Sequence, residues 1–405
     1  MADKIVVAYA SVPKEGGTFT FYRNLREPLA QYGIDLLCVS VGFDQAWLWN
    51  EAYADEGCVL LAPKTASVKR QAQRFVGWCE ERGVDFVFGI NSPAILSAIP
   101  HLPAQTVALA RCANAFDHGY RITLAGQDRL ARIVAVIPRT AADLVDDYGA
   151  PAERIVLVPN GIDPMPFSAA ATQPRGVAPV LRLAFVGRLE HNQKGVLHLP
   201  AILRALDASG VDFTFRIAGQ GRHEGELRRH LASDIKTGRV LFEGLLLPDE
   251  IPSFLGSCDV FLFTSHFEGF GFALLESMMA GTVPVAWHLP GTTDFLVEDG
   301  KTGFLAPVGD ADRFASHIAA LARDRERLAA MSRAARAAAL KRFTHERAAE
   351  SYAGIFREAL VYKGTVAPKP WSAFEVNENF RLTLTSKTRA FVKRRLNAFG
   401  LWRSI

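Results

Sequence analysis

The chain has 405 residues, 49% of them hydrophobic, enough for about two to three domains with a core each. A formal net charge of +4 makes no demand for a nucleic-acid partner. Five scattered cysteines (Cys38, Cys58, Cys79, Cys112, Cys258) without a Cys-x-x-Cys pair argue against a disulfide framework and a structural zinc site, so a reducing cytoplasm is expected.

Met1-Ala2-Asp3-Lys4 runs straight into an apolar strand rather than a signal-peptide core. No apolar run approaches the roughly 18 to 20 residues of a membrane span, so neither secretion by that route nor a bilayer crossing is expected. Short apolar strands at 5–10, 36–41, 86–90, 106–110, 133–137 and 155–158 alternate with amphipathic helical stretches, which predicts a doubly wound parallel sheet. The first loop ends in Gly16-Gly17, a pair that permits backbone N–H contact with a phosphate. Asn91-Ser92 and Arg111 stand at other strand ends of this half, and His118 follows in Asn114-Ala115-Phe116-Asp117-His118. Asn160-Gly161-Ile162-Asp163 is a turn, and the prolines of 164–180 mark a hinge.

Alternation resumes with strands at 181–186, 213–218, 240–242, 260–263 and 283–286, then a long Ala- and Arg-rich helix over about 312–340. Ligands of such sheets bind outside the carboxyl ends of the strands, so the cleft between the halves is the expected site. After the first of these strands, Gly187-Arg188 and Lys194-Gly195 offer a guanidinium fork and a point charge, a combination that neutralises a diphosphate. Ala218-Gly219-Gln220-Gly221-Arg222 is half a dinucleotide fingerprint; Glu224 stands where the third glycine would be, which argues against a nicotinamide cofactor. Glu243-Gly244-Leu245 would set backbone groups against a base.

The segment Phe267-Glu268-Gly269-Phe270-Gly271-Phe272-Ala273-Leu274-Leu275-Glu276 reads as strand end, glycine turn and helix start. Its glycines allow close backbone approach, and the N–H groups of Phe272 to Leu275 would face a phosphate at the helix N-terminus. Glu276 could then accept from a ribose diol while Glu268 reaches a sugar hydroxyl, which suits a nucleotide sugar. Asp310-Ala311-Asp312 matches a metal-holding Asp-x-Asp but precedes a helix, where carboxylates cap and complement the dipole. No other carboxylate or histidine cluster has metal-ligand spacing, so no metal is expected. Beyond Pro368-Lys369-Pro370, residues 375–405 carry seven basic side chains against Glu375 and Glu378, interleaved with Phe391, Leu396, Phe399 and Trp402. Such a basic amphipathic tail fits an anionic membrane surface or packs on the first domain.

Together, Glu268-Gly269-Phe270-Gly271 with Glu276 eight positions after Glu268, the small-residue helix, and Gly281-Thr282-Val283-Pro284-Val285 resemble the signature of the retaining glycosyltransferases of family four, the Glu-x7-Glu enzymes of GT-B architecture. That family includes sucrose synthase and bacterial sugar transferases acting on lipid and polysaccharide acceptors. The resemblance covers about 4–360 and is strongest over 187–303. It implies an α/β fold of two Rossmann-like doubly wound domains facing across a cleft: 1–163 for the acceptor, 164–180 as linker, 181–342 for the donor, a crossover helix over 343–362, and the tail 363–405.

The resemblance also implies transfer of a sugar from a UDP- or GDP-sugar to an acceptor hydroxyl with retention. The departing phosphate oxygen takes the acceptor's proton, without a metal or other cofactor. His118 would face the donor sugar, Gly16 and Gly17 would close over the diphosphate held by Arg188 and Lys194, and Gly219 would lie near the nucleotide. Expected partners are the nucleotide-sugar donor and a glycan or lipid-linked acceptor of lipopolysaccharide, polysaccharide or glycolipid synthesis. The expected place is the cytoplasm, peripherally on the inner face of the membrane. A sugar-nucleotide epimerase or phosphorylase on the same fold, or a silent nucleotide-sugar binding subunit, stays open as an alternative.

Overall fold

The computed structural model describes residues 4–13, 17–43, 52–63, 65–89, 92–170 and 180–377; Gly16, Asn91 and the tail beyond 377 lie outside them. Among the described residues, thirteen parallel strands form two sheets. The first holds β1 (Ile5–Ala10), β2 (Ile34–Phe43), β3 (Cys58–Pro63), β4 (Phe86–Gly89), β5 (Val107–Cys112), β6 (Leu130–Ala135) and β7 (Ile155–Leu157), in the order β3-β2-β1-β4-β5-β6-β7. The second holds β8 (Leu181–Val186), β9 (Phe213–Ala218), β10 (Val240–Gly244), β11 (Val260–Phe263), β12 (Val283–Trp287) and β13 (Phe304–Ala306), in the order β10-β9-β8-β11-β12-β13. Two Rossmann-like sheets with helices, as the sequence predicts, are thus present.

Central strands are largely apolar because both faces are covered: all six residues of β5, Arg111 among them, and all four of β11 are buried. The two-residue period of a strand then divides β1 between two cores. Ala8 and Ala10 pack with Phe75, Ile95 and Leu144 on one face. Val7 and Tyr9 pack with Phe21, Phe88 and Tyr352 on the other. Tyr352 belongs to the helix His345–Ala359, which returns from the second half and lays Tyr352 5.5 Å from Phe88 and Phe356 5.2 Å from Phe86, ring to ring. The crossover helix is therefore part of the first domain's core.

The expected single helix over 312–340 is two helices, Ala311–Arg323 and Arg325–Arg342. Asp324 leaves helical geometry (φ −120°, ψ 87°) and its carboxylate accepts the Arg327 N–H at 2.8 Å, so it caps the second helix. Asp310 caps the first in the same way, on the Arg313 N–H at 2.9 Å. A further apolar cluster joins the domains, with Val136, Ile137 and Ile162 of the first against Phe263, Phe270 and Leu274 of the second. No described helix is long and apolar enough to cross a membrane.

Candidate functional site

Strand order reverses direction at β1/β4 in the first sheet and at β8/β11 in the second, and crevices outside the carboxyl ends at such points are where ligands bind. The start of the helix Gly17–Ala30, which follows β1, and the loops after β5, β8 and β11 meet there. They enclose a cavity of about 370 Å³ whose lining includes Gly17, Thr18, Arg111 and Asn160 of the first domain and Lys194, Glu268 and Phe272 of the second.

The turn after β8 is fixed by Glu190, whose carboxylate accepts the N–H groups of Asn192 and Gln193, each at 3.0 Å. Gly195 then takes φ 62°, and a Cβ there would stand 2.0 Å from the Thr264 carbonyl oxygen, so only glycine lets this turn sit on the strand end of β11. Thr264 Oγ1 donates to the Lys194 carbonyl at 2.9 Å. With its backbone held, Lys194 sends Nζ to within 2.6 Å of Glu268 Oε1, which also accepts from Ser265 Oγ at 2.7 Å. The two side chains are 16% and 8% exposed, so this is a half-desolvated pair at the cavity wall. Glu268 Oε2 has no protein donor among the described residues and is available to a ligand hydroxyl.

Gly271, at φ 97°, starts the helix Phe272–Met279 without a side-chain cap. Of the four amides expected to face a phosphate, those of Leu274 and Leu275 already donate to the Gly271 carbonyl, at 3.0 and 3.1 Å. That leaves the amides of Phe272 and Ala273, both of which line the cavity, as the pair that could face an anion. Phe270 buries its ring against Phe272 and Phe343. The carboxyl of Glu276, one turn on, keeps partial access to solvent and meets no donor among the described residues. Desolvation pushes its carboxyl up to about 7, opposed by the charge of Lys194.

From the first domain, Gly17 brings its Cα side against Phe272, whose Cε2 would be 3.9 Å from an added Cβ. Arg111 is 3% exposed, stacks 3.8 Å over the Phe21 ring and donates to Asn160 Oδ1 at 2.6 Å, while its Nε has no partner. The domains touch through backbone: a Cβ on Gly269 would lie 2.0 Å from the Ala113 carbonyl oxygen, and the Arg139 N–H donates to the Gly291 carbonyl at 3.1 Å. A second hollow of about 320 Å³ adjoins at Thr18, lined by Ser11, Ser40 and Ser92 of the first domain.

The structure does not bring every expected residue into this cavity. His118 sits exposed in the first turn of the helix Asp117–Thr123, outside the lining, while Asn114 at the end of the same loop does line it. Arg188 is exposed and donates to Gln193 Oε1, and Gln193 takes its place in the wall. Gly219 faces backbone rather than the cavity, since a Cβ would stand 1.9 Å from the Gly187 carbonyl oxygen. Leu245 is 64% exposed. Thr18, Asn114, Asn160 and Gln193 carried no sequence signal beyond their position in strand-end loops. Geometry adds a group that sequence spacing does not show: His191, His198 and His266 each offer a ring nitrogen, all within 4.8 Å of one another. The seven-residue step from His191 to His198 matches no ligand motif, and His266 joins only through the fold.

Residues 181–324, most of the second domain, match the family model "Glycosyl transferases group 1". The chain is 34% identical to the 2-deoxystreptamine glucosyltransferase of Streptomyces kanamyceticus over 41% of this chain and 45% of that one. It is 33% identical to the D-inositol 3-phosphate glycosyltransferase of Acidothermus cellulolyticus over 58% of this chain and 55% of that one. It thus spans about half the length of the curated relatives it matches. A glycosyltransferase from Rickettsia africae superposes with a TM-score of 0.73 at 17% identity, covering 88% of this chain and 99% of that one. Anabaena Alr3699/HepE, solved in complex with UDP and glucose, superposes at 0.71 with 19% identity, covering 87% and 100%. These likenesses agree with the glycosyltransferase part of the resemblance, and the fold is that of the GT-B glycosyltransferases.

Proposed function

We propose that this protein is a retaining glycosyltransferase that moves a sugar from a nucleoside diphosphate sugar to an acceptor hydroxyl. The observation that carries the reading is the cavity wall in which Lys194, Glu268 and the amides of Phe272 and Ala273 stand together opposite Gly17 and Arg111 of the other domain. The diphosphate lies on the two amides and on Lys194, which has two further N–H donors beside the one given to Glu268. Arg188 joins it by leaving Gln193. Glu276 accepts from the ribose and Glu268 Oε2 from the sugar. As the bond from the anomeric carbon to the phosphate oxygen breaks, charge grows on that oxygen, and donors already aimed at it stabilise the transition state without reorganising. The acceptor hydroxyl adds on the same face and its proton passes to the departing oxygen. Cationic groups supply the charge that a metal would at the phosphates, so the transfer itself runs without one.

UDP-glucose, bound in a structure of Anabaena HepE, makes a uridine nucleotide sugar the first to test here. The serine-lined hollow beside Thr18 fits a polyhydroxy acceptor, a glycan or lipid-linked glycan. The basic, aromatic tail, outside the described residues, would bring the protein to an anionic membrane. The test is a thermal-shift panel of UDP- and GDP-sugars followed by product analysis with and without acceptor. The true donor at about 100 times its Kd stabilises by about 2.7 kcal/mol through linkage. No shift with any nucleotide sugar would refute the reading; an epimerised sugar nucleotide formed without acceptor, or a sugar 1-phosphate formed only with inorganic phosphate, would make the protein an epimerase or phosphorylase instead.

A further inference from the structure

The loop that carries Lys194 and the loop that carries Glu268 are joined a second time, by histidines. His191 opens the short turn His191–Lys194, His198 closes the turn Val196–His198, and His266 lies three residues past β11. Their rings stand 5.1 to 5.2 Å apart, centre to centre, in all three pairings. His266 is anchored twice: its N–H donates to the Gln193 carbonyl at 2.7 Å, and its Nδ1 lies 3.1 Å from the Asn192 carbonyl. A carbonyl only accepts, so Nδ1 carries the proton and Nε2 presents a lone pair. His198 Nε2 is 2.8 Å from that lone pair. No carboxylate is ion-paired to any of the three among the described residues, all three are half-buried, and burial together with the neighbouring imidazoles holds His191 and His198 below the ordinary histidine range. An imidazole with one nitrogen tied to a backbone carbonyl and the other turned to a ligand, as in His266, is what a borderline-soft divalent ion requires.

We propose that His191, His198 and His266 bind one transition-metal ion of the Zn²⁺ class, which ties the Lys194 loop to the Glu268 loop. Zn–N bonds of about 2.0–2.1 Å in tetrahedral geometry set ligand nitrogens about 3.4 Å apart. The pair at 2.8 Å therefore opens by about half an ångström, while the proton it shares moves to Nδ1 of His198. His191 Nδ1 accepts the Leu197 N–H over a long 3.3 Å, so this ring gives up that bond and either binds the ion through Nδ1 or moves its proton there and binds through Nε2. Water takes the fourth position from the side of a hollow of about 230 Å³, lined by His266, Phe267 and Arg139. The ion is not a phosphate ligand, and the site stands whether or not the neighbouring cavity carries a sugar transfer.

Full-length, chelator-stripped protein is titrated with Co²⁺, whose visible d–d bands report low-coordinate nitrogen ligation, and then with Zn²⁺ in competition. The expected result is one equivalent of Co²⁺ displaced by Zn²⁺. His266→Gln and His198→Asn should each weaken binding by more than the about 10- to 100-fold that losing an outer partner costs. His230→Gln, an exposed histidine on another helix, should leave it unchanged. Without nucleotide, Zn²⁺ should slow amide exchange over 188–199 and 264–269 in the wild type and not in the His266 variant. Absence of Co²⁺ bands in the wild type, or bands that persist in both histidine variants, would overturn the site. If a variant fails to fold, as circular dichroism would show, the wild-type spectrum and the location of the exchange protection still decide.

Discussion

Glu276 is a carboxyl in conflict with its surroundings, since burial raises it from 4.5 to about 7 and no protein donor among the described residues meets it. Holding it ionised costs on the order of 3 kcal/mol at most. The folded state keeps the proton in a range where the unfolded chain has lost it, so stability falls as pH rises from about 4.5 to about 7 and levels off above. Glu276→Gln should flatten that fall and raise the melting temperature at pH 8, while weakening nucleotide-sugar affinity by about 1.5–3 kcal/mol because a ribose bond to a charged acceptor is lost. A diol that donates to the carboxylate should also make donor binding tighten with pH over the same window. Calorimetric titration of both forms between pH 5 and 8 checks this, and parallel curves would remove Glu276 from the site.

Glu268 and Lys194 act as a unit, so their variants should not add. Lys194→Ala leaves Glu268 buried without its partner, and each single change should depress turnover more than it raises KM. A double-mutant cycle on kcat with strictly additive losses would contradict the pairing.

At the scale of elements, the site depends on how closely two domains approach. Gly269→Ala puts a methyl where Ala113's carbonyl oxygen is, at 2.0 Å, and neither backbone can yield alone. The domains must separate, costing about 1–3 kcal/mol of stability, and misplacing Lys194 and Glu268 against Arg111 by an ångström costs about a hundredfold in turnover. Gly225→Ala, in the helix Glu224–His230 with no atom within 4 Å, should instead be neutral or stabilising by up to about 1 kcal/mol. Wild-type kinetics in Gly269→Ala, measured beside that control, would show that the junction does not set the site.

Elements were legible in the sequence where local pattern alone decides them. Fully apolar runs defined both ends of β1 and β11, because a strand covered on both faces has little to blur it, and β8 and β9 stood out by alternation despite Arg182, Thr214 and Arg216. β13 was not legible: Phe304–Ala306 is three residues long, shorter than any period can be read. β3 was missed for a different reason, since Cys58–Pro63 is an edge strand that leaves Leu60 37% exposed. The helix break at Asp324 hid in an alanine-rich run whose composition favours helix on both sides. Within the site, Lys194, Glu268, Gly17 and Phe272 were legible as strand-end residues. His118 falls outside the cavity lining because a loop histidine carries no direction in the sequence, and the three histidines converge only because β8 and β11 are neighbours in the sheet.

The whole molecule is closed by its carboxyl-terminal part, which crosses from the second domain and then runs on along the first. After the crossover helix, Lys363 Nζ donates to Asp85 Oδ1 at 2.6 Å, Trp371 stacks 4.4 Å from His101, and the Asn377 N–H donates to Ser97 Oγ at 2.9 Å. Residues 363–377 thus form a strap on the first domain, chemically distinct from the basic stretch beyond Asn377. Ending the chain after Asn377 removes seven basic and one acidic side chain, turning the formal charge from +4 to −2. Because the strap keeps its anchors, this truncation should retain the melting temperature and donor affinity. A chain ending at Tyr362 should lose stability, because Trp371 and Phe374 no longer cover the core that Ile95 and Leu102 help build. On vesicles, each basic residue near an anionic surface contributes about 1 kcal/mol, so co-sedimentation with anionic but not neutral vesicles should be abolished in the Asn377 truncation and fade in the full chain as salt is raised. Vesicle binding that survives the truncation would move the membrane contact to the folded body. A drop in melting temperature would mean that the tail, like the strap before it, packs on the first domain.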